Sequence, residues 1–196
     1  ICGSSASWII NKIVNNKGGL HNRITRNMHL APFKLIDSKE YLHSLGIKLN
    51  NEQILQIYMA SGGIPYYLSK MEKGLSAAQN IDKIAFRRKS FFLQEFDNLF
   101  SSLFNDYEIY IDMVRTIAKY RYGIGQEDLL KKMGKALQGK GGLEKLKALQ
   151  ETNFIISFKP FGHSKKGIYY KVIDQYCLFY FDWIEPVKDT LLEKGF

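Results

Sequence analysis

Residues 154–173 read FIISFKPFGHSKKGIYYKVI. FIISF (154–158) and IYYKVI (168–173) alternate with a period of two, the strand pattern, because successive strand side chains point to opposite faces. Between them KPFGHSKKG carries Pro160, Gly162 and Gly167, residues suited to a reversing turn. The stretch therefore predicts a hairpin with a long, basic connection.

Three helical patterns precede this hairpin. Tyr110, Met113, Val114 and Ile117 keep helical spacing from Glu108 onward. A short second helix, Gln126–Met133, follows the YGIG turn. The third runs from Gly142 to Glu151, with Leu143, Leu146 and Leu149 expected inward. Helix, helix, helix, strand, wing, strand is the order of a winged helix-turn-helix.

Upstream, Asn51 to Phe104 reads as helical almost throughout. Asn50 or Asn51 caps a helix with Ile54, Ile57 and Tyr58 on one face, and SGGIPYYL (61–68) interrupts it. There two glycines end one helix and Pro65 starts the next, where its missing N–H costs nothing. A helix over about 76–86 follows, then one with Phe92, Phe96, Leu99 and Leu103 on a buried stripe. Before these, Asp37 and Ser38 open a helix ending near Gly46, and RNMHLAPF (26–33) is extended up to its proline. The opening ICGSS reads as the end of a buried strand, with Ser4 or Ser5 capping a helix behind it. A strand without a sequence partner suggests a parallel sheet whose other strands lie upstream. The chain also starts at Ile1 rather than Met, so the expectation is a piece of a longer protein.

The chain has 45% hydrophobic residues and 14% aromatics, which exclude a disordered polymer. No apolar run nears the roughly 20 residues that span a bilayer. Cys2 and Cys177 are unaccompanied, so neither a disulfide framework nor a CxxC zinc site is indicated, and a reducing cytoplasm fits. His21, His29, His43 and His163 lack ligand spacing, so no metal site is expected. The net charge of +9 suits nucleic acid, an anionic nucleotide or simply a basic surface.

CGSSASW (2–8), GGLHNR (18–23), LAPF (30–33), QIYMASGGIPYYL (56–68), EFDNLFSSLF (95–104) and YYKVIDQYCLFYF (169–181) follow one another along the chain. In that order they resemble archaeal and bacterial P-loop ATPases of the AAA+/STAND group with a C-terminal domain of uncharacterised function. The resemblance covers nearly the whole chain. It implies three parts: residues 1–36, a remnant of the ATPase core; 37–106, a helical lid; 107–196, a winged helix with an aromatic C-terminal segment. The fold class expected is mainly α with a small β component. The resemblance also implies an N-terminal core with the G-x-x-x-x-G-K-[ST] phosphate loop and the acidic strand for Mg²⁺. Neither occurs here, so ATP with Mg²⁺ belongs to the intact parent and catalysis by this chain alone is not expected.

The resemblance assigns roles to several residues. Ser4 falls where a sensor hydroxyl would meet the γ-phosphate or its attacking water, or it caps the following helix. Arg23 closes GGLHNR and is the stronger candidate for a guanidinium that senses the γ-phosphate; Arg26 is the weaker one, read more readily as a solvated loop cation. Gly62, Gly63 and Pro65 form a turn like the lid's G-x-P motif, which packs on the nucleotide; ordinary turn chemistry also suits them. Glu95 and Asp97 read as the polar side of a core helix rather than an acid–base pair.

In the winged helix, Lys140, Lys145 and Lys147 on or near the third helix and Lys165 and Lys166 in the wing are candidate contacts to duplex DNA. The third helix has no Arg and few base readers, so the expectation stops at nonspecific phosphate binding. The tail from Asp174, with Tyr176, Phe179, Tyr180, Phe181 and Trp183, is expected to pack on the winged helix or on a further domain, or to drive homo-oligomerisation. The rival readings are a freestanding DNA-binding regulator and a protein-interaction module.

Overall fold

The computed structural model describes residues 30–161 and 167–193. The described residues are mainly helical, with a three-stranded antiparallel sheet, as the sequence implies. They divide between two compact units, 30–98 with 174–193, and 99–161 with 167–173.

The first unit is helical. Extended Leu30–Phe33 leads into α1, Leu35–Ser44. That helix starts earlier than Asp37 and Ser38 suggested, because Asp37 acts from inside the first turn: its carboxylate accepts the Lys34 amide at 3.1 Å. Helix α2, Asn51–Ser61, is capped by Asn50, whose side chain accepts the Gln53 amide at 2.9 Å, and it buries Ile54 and Ile57. Pro65 occupies the first turn of the short α3, Pro65–Leu68. Ser76 and Gln79 form a reciprocal capping box at α4, Ala77–Ile81, which continues as a wider π turn over Asp82–Phe86. Helix α5, Phe91–Leu103, begins in this unit and buries Phe92, Leu93 and Phe96.

The segment after Asp174 belongs to the same unit. Asp174 accepts the Cys177 amide at 2.7 Å and so caps α9, Gln175–Phe179, which packs on α2. A π turn at Tyr180–Ile184 and a 3₁₀ turn at Glu185–Val187 lead into α10, Lys188–Glu193. Tyr176 donates from its hydroxyl to the Phe92 carbonyl at 2.8 Å. The Tyr180 ring stacks on Phe96 at 3.7 Å between centroids. The tail therefore has partners among the helices of residues 30–98, and the two units divide before Leu99 and after Ile173.

The second unit has the winged-helix order. Helix α6 is Tyr107–Ala118, α7 Gln126–Lys132 and α8 Lys140–Glu151, with a 3₁₀ turn at Lys135–Leu137 between the last two. Strand β2, Ile155–Phe158, pairs with β3, Tyr169–Val172, from Ile155–Val172 to Phe158–Tyr169. A two-residue strand β1, Ile124–Gly125, pairs on the other side of β3 through Ile124–Tyr170, giving the order β1-β3-β2. Ile111, Met113, Val114, Ile117, Leu129, Leu146, Leu149, Tyr170 and Val172 fill the core. Each such side chain, fully buried, contributes roughly 1.5–3 kcal/mol relative to exposure.

Four expected core positions move. Leu143 stays 42% exposed, because the buried stripe of α8 runs through Gly142, Leu146 and Leu149. On α5 the stripe shifts to Phe100, stacked on Phe154 at 4.7 Å, and leaves Leu99 and Leu103 half-buried. Tyr110 is half-buried and stacks on Phe104 at 3.9 Å.

Candidate functional site

The turn between α2 and α3 is the first candidate. Gly62 ends α2 in the left-handed region (φ +64°), its amide donating to the Tyr58 carbonyl at 2.8 Å. Gly63 follows at φ +72°, and its carbonyl accepts the Phe33 amide at 2.9 Å. A Cβ on Gly63 would run into the Phe33 carbonyl oxygen, so only glycine admits that approach. Pro65 then starts α3. Beside it Tyr66 points outward, 55% exposed, with the Lys70 ammonium 4.2 Å from its ring centroid. Tyr67 points inward and donates to Glu95 at 3.0 Å. Burial, reinforced by the charge of Glu95, pushes the Tyr67 phenol far above its ordinary range. The turn thus joins LAPF to GGIPYYL, two motifs separate in sequence.

Glu95 and Asp97 have different partners. Glu95 is half-buried and accepts from Tyr67, while Asp97 is exposed and faces the Lys188 ammonium at 3.3 Å.

The winged-helix lysines form the second candidate, and their surroundings differ. The Lys140 and Lys147 side chains are exposed, with Glu144 and Glu151 one turn further on at 3.7 Å each. Lys145 is 18% exposed, 3.7 Å from Asp106 and 4.7 Å from the Tyr110 ring centroid. Its charge lies within the unit's own packing. The two exposed lysines of α8 therefore each have a glutamate one turn on. Gln150, whose amide is one of the few groups on α8 able to read a base, donates to the Ser157 hydroxyl at 2.8 Å.

Charge divides unevenly along the sequence. Leu99–Ile173 contains 13 Lys and Arg against 7 Asp and Glu, whereas Leu30–Asn98 with Asp174–Phe196 contains 11 against 12. Within these two units the basic surplus belongs to the winged-helix sequence. Sequence reasoning passed over KYRYG (119–123), where basic and aromatic side chains interleave and Tyr122 is 88% exposed.

Ser4, Arg23, Arg26, Lys165 and Lys166 lie outside the described residues, as do Cys2 and His163. Among the described residues no three His, Cys, Asp or Glu side chains cluster as a metal would require. No helix among them is long and apolar enough to cross a membrane.

The chain aligns over its whole length, at 31% identity across 198 positions, with a Methanocaldococcus jannaschii protein described as uncharacterized protein MJECL04. It spans 42% of that protein. No family model and no solved structure matches the chain.

Proposed function

We propose that this chain is the lid and winged-helix portion of a P-loop ATPase, with the Gly62–Pro65 turn facing the nucleotide. The phosphate loop and Mg²⁺-holding carboxylate lie in a core beyond these residues. The geometry of the turn carries the reading. Gly63 is held against Phe33, Pro65 opens the next helix, and Tyr66 stands exposed beside them. Two motifs of the resemblance thereby become one surface. The relative supports it indirectly, since more than half of that protein lies outside the match.

On this reading ATP with Mg²⁺ binds the core in the cytoplasm. Arg23 senses the γ-phosphate, with Ser4 and Arg26 as further polar contacts. Hydrolysis then changes how lid and winged helix are held. The test is binding of a fluorescent ATP analogue to a polypeptide carrying the core together with this region. Arg23→Ala and Pro65→Ala should each weaken binding; two variants that bind like the parent would remove both residues from the site.

One observation favours a second role for the winged helix. Its sequence carries the basic surplus while that of the helical unit is close to neutral. An anionic partner is the complement, and nucleic acid held through its phosphates is the simplest such partner.

A further inference from the structure

The structure assigns a nucleic-acid contact to the Lys119–Tyr122 turn and Lys132 rather than to the third helix, and we infer that its ligand is single-stranded. The inference rests on the second role above and is independent of the ATPase reading.

The turn begins where α6 ends. The Tyr120 amide donates to the Ile117 carbonyl at 2.9 Å, and the Gly123 amide returns to the Tyr120 carbonyl at 2.8 Å. Gly123 then lies flat against the sheet, where an added Cβ would be 2.8 Å from the Phe158 ring and 3.0 Å from the Tyr170 carbonyl. The next residue, Ile124, is buried and paired with Tyr170. A turn anchored at both ends has little freedom, so its outward side chains are ready for contact without a large ordering cost.

Those side chains have stacking and phosphate-binding chemistry. Tyr122 is 88% exposed and Tyr120 37%, and the neighbouring Lys119 and Arg121 are exposed as well. The Lys132 ammonium, from α7, lies 5.8 Å from the Tyr120 ring centroid. Among the described residues none of Lys119, Arg121 and Lys132 is paired with a carboxylate, whereas Lys140, Lys145 and Lys147 each have one within 3.7 Å. An approaching phosphate therefore meets unneutralised cations at the turn and balanced ion pairs on α8. An open tyrosine face beside free cations suits unpaired bases, which stack on aromatics while the backbone follows the positive charge. In a duplex those base faces are already stacked.

The test is fluorescence anisotropy with labelled 15-mers of thymidylate, uridylate and duplex DNA, titrated with the whole chain at two salt concentrations. The two single-stranded probes distinguish DNA from RNA as the source of the chemistry. Both single strands should bind more tightly than duplex, with affinity falling as salt rises. Tyr122→Ala should weaken single-strand binding about tenfold or more, and Tyr122→Phe should keep it, since stacking needs the ring and not the hydroxyl. Arg121→Ala should weaken binding and flatten its salt dependence. Lys140→Ala with Lys147→Ala should change neither. These positions are exposed, so a circular dichroism melt matching the parent separates lost contact from lost fold. Failure to bind any of the three probes would overturn the nucleic-acid role altogether. Binding indifferent to Tyr122 and Arg121 but lost with Lys140 and Lys147 would overturn this placement while leaving that role standing.

Discussion

The Phe33 amide donates a hydrogen bond of 2.9 Å to the Gly63 carbonyl, tying an extended segment to the turn thirty residues later. Gly63 has φ +72°, and the space where a Cβ would sit is filled by the Phe33 carbonyl. Gly63→Ala should therefore cost about 2 kcal/mol or more, from left-handed strain and from the displaced segment together. Urea unfolding measures it, and a melt unchanged from the parent would mean that Phe33 does not hold this position.

The ring pair Phe96–Tyr180 closes the helical unit over a sequence separation that local patterns do not bridge. Phe96→Ala should cost roughly 3–5 kcal/mol, as truncation of a fully buried aromatic does. Tyr176→Phe, which removes only the hydroxyl bonded to the Phe92 carbonyl, should cost about 1 kcal/mol. Denaturant midpoints of the two variants give the comparison.

Much of the local architecture was legible in the sequence. Asn50 caps the helix it precedes, Pro65 opens the next one, and the alternation of IYYKVI appears as Tyr170 and Val172 buried on either side of exposed Lys171. What escaped was non-local. The place of Tyr176 and Tyr180 depends on Phe92 and Phe96, and periodicity carries no information about a partner so distant. Strand β1 has two residues, too short to show any period. Leu143 and Leu149 lie on opposite flanks of Leu146 on a helical wheel, and the buried stripe takes the flank of Leu149 and Gly142, which leaves Leu143 outward. In the candidate site, GGIPYYL was visible as a motif, whereas its bond to LAPF was not. Lysine count marked α8 as basic, and while Glu144 and Glu151 stand four residues after Lys140 and Lys147 in the sequence, the pairing of Lys145 with Asp106 appears only in the fold.

Lys145 and Lys147 look equivalent in sequence and should behave differently. Lys145 is 18% exposed, near Asp106 and over the Tyr110 ring, and Lys147 is 77% exposed, 3.7 Å from Glu151. Lys145→Ala should destabilise by about 1 kcal/mol, through a cation–π contact and a partly shielded ion pair. Lys147→Ala should stay within about 0.5 kcal/mol of the parent. Thermal melts of both variants decide it, and equal losses would contradict the burial difference.

Asp174 gives a pH dependence with a definite sign. Burial raises its carboxyl above the ordinary 3.8, a rise opposed by hydrogen bonding from Cys177. The folded chain therefore holds this proton to higher pH than the unfolded chain does. Its contribution to stability is fully present below 3.8 and is lost as pH rises through the folded value. Asp174→Asn keeps a side-chain oxygen for the Cys177 amide and removes the charge. It should remove this part of the pH dependence and gain relative to the parent as pH rises. A variant whose stability tracks the parent across the acid range would contradict the assignment.

The most direct test of the nucleotide-facing turn is amide hydrogen exchange over residues 61–68, with and without an ATP analogue and Mg²⁺, in a polypeptide carrying the P-loop core. A turn that faces the nucleotide should exchange more slowly when it is bound, while α8 of the winged helix serves as the internal reference. Bound nucleotide with unchanged exchange over residues 61–68 would contradict the account, and the turn would then be a structural joint between α2 and α3.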